Sequence, residues 1–276
     1  MKKYLKYVLK YVIMGVISVE LYTHCIKADP EPKDTYVRTY EEILQSGIIR
    51  AVTEYNSLSY HAREDTISGF HYELLQAFAK SRNLKVEITP EMSLAKRLEG
   101  MENGEYDILA NNVLITSNRK DSLLYTRPIL LSKQVLVQRK AKDENDSCYI
   151  RSLLDLSNRT VHLVKESPSL YRIQNLSNEI GDTIFIKEID KYGPEQLIAM
   201  VANGDIDYTV CDESIAKAVI HNFPQIDIET AISFTQFYSW GVNKHNTMLL
   251  DTLNVWIEAF KQTEEFQILN KKYYNH

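Results

Sequence analysis

Hydrophobic and polar positions along this chain alternate between two periods, and the alternation occurs twice. The apolar run at 48–53 has the length of a strand. Phe70, Leu74, Leu75 and Phe78 then share one face of a helix, and a second strand is expected over 84–89. Leu94, Leu98 and Met101 mark another helix, which Asn103-Gly104 ends by supplying a left-handed residue. A strand over 106–110 follows at once. The second half repeats the order: strand 160–164, helix 169–179, strand 183–188, a helix carrying Leu197, Ile198 and Val201, Asn203-Gly204, and strand 206–211. Strands alternating with helices in this way imply a mostly parallel sheet with helices on its faces.

The two halves share a short motif, Asn-Gly-acid-x-Asp, at 103–107 and 203–207. Helix–turn–strand joints of this kind are common in α/β chains, but here each copy sits at the same point of the same five-element succession. The expected architecture is therefore α/β with two lobes and a cleft between them. Ligands of open parallel sheets bind beyond the carboxyl ends of the strands, so the informative residues should follow each motif. The same offset from the motif Asp reaches Asn112 in one half and Asp212 in the other. Asn111 and Leu114 flank Asn112, and Arg119 lies just beyond. A guanidinium grips a carboxylate with two parallel hydrogen bonds, and an Asp accepts from an ammonium, so Arg119 and Asp212 together suit a zwitterion. The competing readings are a surface Arg on a polar turn and an N-cap for a helix over 213–221; for Asp212 the two roles are compatible. Ser167-Pro168 opens the helix of the second half as N-cap and first residue, where free N–H groups attract an anion, although Glu166 beside them opposes one.

The first 28 residues differ from the rest. Lys2, Lys3, Lys6 and Lys10 precede a short apolar run over 11–19, the layout of a secretory signal. The run is about half the ~20 residues of a spanning helix. Two exits fit: cleavage after Ala28, or lipidation at Cys25, whose preceding His24 is larger than a lipoprotein box usually has. Without residues 1–28, 27 basic residues face 36 acidic ones, so the net charge moves from −5 to −9. Such a surface repels phosphate backbones and speaks against a nucleic-acid partner. The other cysteines, Cys148 and Cys211, form no C-x-x-C and are read as free.

Seven stretches in order resemble the periplasmic solute-binding proteins of the polar amino-acid type, family 3: IIRAVTEY, ISGFHYELLQAFAKSRNLKVEI, ENGEYDIL, ITSNRKDSLLYTRPI, QVLVQRK, ANGDIDYTVCDESIA and IEAFKQTEEFQILNKKYY. The resemblance runs from about residue 48 to 274. It implies a type II periplasmic binding fold whose lobes, each a mixed, mostly parallel sheet flanked by helices, are joined by two hinge strands and close on a ligand. Lobe 1 would be 45–137 plus 238–276 and lobe 2 141–231, with hinges near 138–140 and 232–237. It also implies roles by position: Arg119 for the ligand carboxylate, Asp212 for the amino group, Asn111, Asn112 and Leu114 along the pocket, Tyr60 as an aromatic beside the ligand, and Ser167 at the second lobe's helix start. The chain departs from the pattern at Glu166 (usually Gly), at Asn111 and Asn112 (usually small residues) and at Ser59 (usually Pro), so the ligand is read no more finely than amino-acid-like: an amino acid, a short peptide or a muropeptide. IDYTVCDESIA, Ser239-Trp240 and Tyr72-Glu73-Leu74 further resemble the non-catalytic N-terminal domain of the membrane-bound lytic murein transglycosylases F. The end at His276 leaves no room for a catalytic domain, so a stand-alone carrier or sensor is expected.

No local motif supplies a catalytic triad, a zinc site or a phosphate loop; the seven His are scattered, and only nine Gly occur. The expectation is thus a non-enzyme without cofactor or metal, extracytoplasmic in the periplasm or tethered through Cys25, monomeric, and working with a membrane permease or a cell-wall enzyme. The enzyme alternative is a cleft-based dehydratase of the same fold, similar to cyclohexadienyl dehydratase, with Glu166 or Glu213 as general acid.

Overall fold

The computed structural model describes residues 36–64, 66–114 and 123–274, apart from the side chain of Leu114. Residues 1–28, with Cys25, and Arg119 lie outside this set. In chain order the elements are helix α1 (Tyr40–Ser46), β1 (Ile48–Thr53), β2 (His61–Arg63), β3 (Thr66–Ser68), α2 (Phe70–Ser81), β4 (Lys85–Pro90), α3 (Leu94–Glu102), β5 (Ile108–Leu114), β6 (Leu123–Tyr125) and β7 (Leu130–Ser132). The chain then runs through β8 (Gln134–Arg139), β9 (Thr160–Val164), α4 (Pro168–Ile180), β10 (Phe185–Ile189), α5 (Pro194–Asn203), β11 (Tyr208–Asp212), α6 (Glu213–Val219) and β12 (Ile226–Asp227). It closes with β13 (Gln236–Asn243), α7 (Thr247–Phe260) and α8 (Glu264–Tyr274).

Two sheets result, built alike. In the first the order is β4-β1-β5-β13-β6, with β7 also on β13; in the second it is β10-β9-β11-β8-β12. The three strands expected in each half pair in parallel, β4-β1-β5 and β10-β9-β11. The next strand is antiparallel in both, and it is the one that has just crossed from the other sheet: β13 on β5 and β8 on β11. These crossing strands are buried on both faces, which is why 135–137 are apolar without a break rather than alternating.

The first sheet is covered on one face by α2, α7 and α8, through Phe70, Phe78, Trp240, Leu253 and Phe266 among others. Its other face packs Val52, Met101, Leu109 and Leu123. In the second sheet Leu197, Val201 and Ala216 cover one face, and Ile173, Leu176 and Leu156 the other. Gly69 starts α2 at φ 138, and a Cβ there would lie 2.5 Å from the backbone oxygen of Ser59. Only glycine allows the loop before β2 to lie so close to the helix start.

The first crossing differs from the sequence expectation of 138–140. β7 ends at Ser132 in the first sheet and β8 begins at Gln134 in the second, so the chain changes sheets at Lys133. A strand buried on both faces carries no sign of which sheet owns it, so the pattern did not separate 134–137 from lobe 1. The return falls between Ala231, bridged to Val135, and Gln236.

Candidate functional site

The carboxyl ends of β1, β5, β9 and β11 meet in the gap between the sheets, where a partly open cavity of about 110 Å³ lies. The lobes touch across it. The backbone N–H of Ser57 donates to Glu195 Oε1 at 2.8 Å, and Asn112 Nδ2 lies 3.4 Å from Ser214 Oγ. In this closed arrangement the space suits a small molecule, well below the roughly 300 Å³ and more of pockets for drug-sized ligands.

Asn111, Asn112, Ser167 and Asp212 stand together on the cavity wall. β5 runs to Leu114 rather than ending at 110, and this extension presents Asn111 and Asn112. Asp212 is the N-cap of α6: its Oδ1 accepts from the Ser214 N–H at 2.9 Å and from the Ser214 hydroxyl. Its Oδ2 is buried without a partner at hydrogen-bonding geometry, although the hydroxyls of Tyr238 and Ser132 lie near enough to favour the charged form. Burial outweighs them and pushes the carboxyl above the usual range. Ser167 is the N-cap of α4, with Pro168 following, yet its hydroxyl makes no capping bond and has no partner.

Tyr60 is not on the cavity wall. Its neighbour Ser59 is, while the Tyr60 ring packs edge-on against Tyr72 at 5.7 Å and near Tyr55. Leu114 closes β5, and its side chain, like Arg119, lies outside the described residues. The proposed general acids are elsewhere. Glu166 is exposed, and Glu213 pairs with Lys133 and Lys217 at 3.6 and 3.1 Å. Neither lines the cavity. Glu166 does hold a left-handed backbone, φ 59, a conformation that glycine adopts more readily.

Several wall residues escape the sequence reading. Glu54 follows β1 directly, so the rule that points beyond strand ends reaches it without any motif. Desolvation pushes its carboxyl up and nearby Glu195 adds to this, while Arg97 pulls it down. Gln134 and Tyr238 come from the crossing strands, which lack a repeat to flag them. Among the described residues, the buried atoms on the wall without a partner include Asn111 Oδ1, Gln134 Oε1, Ser167 Oγ and Asp212 Oδ2, together with Asn56 Nδ2. Acceptors outnumber donors in this set. Cys211 also lines the wall, and burial raises its thiol, which keeps it protonated and unreactive; Cys148 is exposed, and the two are not bonded. No cluster of metal-ligating side chains and no helix long and apolar enough to cross a membrane occur among the described residues.

The sequence profile of the bacterial extracellular solute-binding proteins, family 3, matches residues 48–276. The chain is 27% identical over 247 residues to a membrane-bound lytic murein transglycosylase F of Photobacterium profundum, covering 88% of this chain and 47% of that protein. It thus spans about half the length of the curated relatives it matches, their N-terminal region. An ancestral arginine-binding protein solved with arginine is similar at TM-score 0.72 and 25% identity, over 83% of this chain and 98% of that one. A substrate-binding protein of an ABC uptake transporter from Streptococcus pneumoniae, solved with histidine, shares the fold at TM-score 0.76 and 17% identity, over 86% and 96%.

Proposed function

The chain belongs to the bacterial extracellular solute-binding proteins, family 3, and on that premise we propose that its two lobes close on one small amino-acid-like ligand and leave it chemically unchanged. One observation carries this reading: buried polar atoms without partners converge on a single cavity from both sheets. A buried polar atom left unpaired costs about 1–3 kcal/mol, so several in one place indicate a partner supplied from outside. Their excess of acceptors, with Glu54 and Asp212 beside them, favours a ligand bearing a protonated amine. Arg119, from the segment that follows β5, holds the ligand carboxylate in this reading, and Asp212 its amino group. The size of the cavity favours a single amino acid over a muropeptide.

A thermal-shift panel of single amino acids, dipeptides and muropeptides tests this, because a ligand that binds only the folded state raises apparent stability. A cationic amino acid should give the largest shift. If every amino acid leaves the melting temperature unchanged, the reading fails. Calorimetry on Arg119→Ala should show binding of an α-carboxylate ligand lost; unchanged affinity would remove Arg119 from the site. Glu54, an acid raised by burial on the cavity wall, is what favours the dehydratase alternative. Incubation with prephenate or arogenate decides it, since turnover would overturn the binder.

Extracytoplasmic placement goes with the family and with the signal-like residues 1–28. Radiolabelled palmitate entering the wild type but not Cys25→Ser would establish the lipid tether. We read the protein as a monomer that serves uptake through a permease or reports a cell-wall solute. Neighbouring permease and ATPase genes would support the first, wall-processing genes the second.

A further inference from the structure

Behind the cavity wall lies a histidine with no surface role. His71 and Trp240 are 1% and 0% exposed, enclosed between α2 and β13 in the first lobe. Trp240 Nε1 donates to His71 Nδ1 at 2.9 Å, and His71 Nε2 meets Asn112 Oδ1 at 2.6 Å. Asn112 Nδ2 reaches Ser214 Oγ at 3.4 Å, and the Ser214 hydroxyl donates to Asp212 Oδ1. The Tyr274 hydroxyl also lies beside the Asn112 amide.

The direction of this chain follows from its first member. An indole N–H only donates, so His71 Nδ1 must accept. A neutral imidazole carries one proton, which then sits on Nε2 and donates to Asn112 Oδ1. With its oxygen taken on the core side, the Asn112 amide turns its NH₂ toward the second lobe. A protonated ring or the Nδ1–H tautomer would set an N–H against the indole N–H, and a flipped ring would set a C–H there, so the enclosure admits one arrangement. Burial also pushes the imidazole down to about 4, which keeps it neutral. Ser214 and Asp212 belong to the second lobe, so the Asn112–Ser214 link exists only while the lobes are together.

We propose that Trp240 and His71 hold Asn112 as a hydrogen-bond donor toward the second lobe, so that the core of the first lobe sets the polarity of the cleft wall and helps latch the cleft shut. His71 does not line the cavity and is a positioning residue, acting through Asn112. The proposal rests on the cleft's being the ligand site, but its tests need no ligand, so an empty ligand screen would leave them intact.

Two measurements on the full-length chain decide it. In ¹⁵N-histidine-labelled wild type, the His71 resonances, assigned by their loss in His71→Gln, should show a protonated Nε2 and a bare Nδ1 throughout pH 5.5–8. A protonated Nδ1, or a ring that gains charge in that range, overturns the proposal even if no variant folds. Spin labels at Lys80 and Gln174, with Cys25 and Cys148 replaced by Ser, report the distance between lobes. His71→Leu and Ser214→Ala should both shrink the closed population about fivefold, the factor of one net hydrogen bond. His71→Gln, whose amide also accepts on one atom and donates from the other, should restore it. A closed population unchanged in His71→Leu and Ser214→Ala, or lost equally in His71→Gln, overturns the latch.

Discussion

Asn-Gly-acid-x-Asp occurs once in each lobe, and the two copies share a backbone but not an environment. Gly104 and Gly204 are both left-handed, at φ 71 and 85, and both end a helix before an inner strand. Asp107 is then sealed in: its side chain is 3% exposed, pairs with Arg38 and accepts the Arg50 N–H at 2.7 Å. Asp207, at the matching place, is 64% exposed and, among the described residues, pairs with Arg139. The difference comes from the segment before β1. Arg38 on that segment reaches Asp107, while in the second lobe Arg139 comes from a crossing strand and divides its donors among Val201 O, Ile206 O and Asp207. The motif specifies a turn, and what covers the turn specifies the energetics.

The largest expected effect breaks this pair apart. Asp107→Ala strands two arginines near a buried site and should cost about 3–5 kcal/mol of unfolding free energy. Asp207→Ala should cost under about 1 kcal/mol. Urea melts of the two variants measure both, and equal losses would refute the contrast.

Five residues further on, the lobes differ again, Asn112 against Asp212. The amide is anchored to the first lobe's core, whereas the carboxylate caps a helix with one oxygen and holds the other buried at the cavity wall. Asp212→Asn should weaken ligand binding by about 2–5 kcal/mol in calorimetry, since it leaves a ligand ammonium unpaired. The same change should hold or raise the melting temperature of the free protein, because a buried charge disappears. A loss of both binding and stability would mean that Asp212 is chiefly a structural cap.

The anchoring of Asn112 has its own signature in pH. His71 titrates near 4 when folded and near its ordinary value of about 6.5 when unfolded. Between those values the unfolded chain binds more protons, so stability rises with pH through that window, by up to about 3 kcal/mol, and is complete above it. His71→Gln should remove this part of the slope. Denaturant melts at pH 4.5 and 7 for both proteins read it directly, and identical slopes would contradict a neutral buried ring. A small gain is expected at Glu166, where the left-handed backbone suits glycine: Glu166→Gly should add about 1 kcal/mol in the same melts.

The helices and parallel strands were legible because burial imposes a period on them. Phe70–Ser81 and Ile48–Thr53 start and stop where the apolar spacing does. Other ends moved by a residue or two, as β11 shows by starting at Tyr208, because the residues after a turn pair only where a neighbouring strand lies. The site was legible in part. Strand ends after a repeat lead to Asn111, Asn112 and Asp212, and Ser167 follows from its helix start. Tyr60 is absent from the wall, and its ring packs near Tyr55 and Tyr72, contacts that no local pattern records. Glu54 was within reach of the strand-end rule, whereas Gln134 and Tyr238 come to the cavity on strands that cross between sheets.

Residue order alone settles the alternation of strands and helices, the doubling of the unit and the two glycine turns, because each depends on spacing and on backbone preferences within a few residues. The owner of each crossing strand, the burial that separates Asp107 from Asp207, and the run of hydrogen bonds from Trp240 to Asp212 come from the folded chain. They join residues far apart in the sequence, and the cost of leaving a buried donor or acceptor unpaired is incurred only once those residues have been brought together and water excluded.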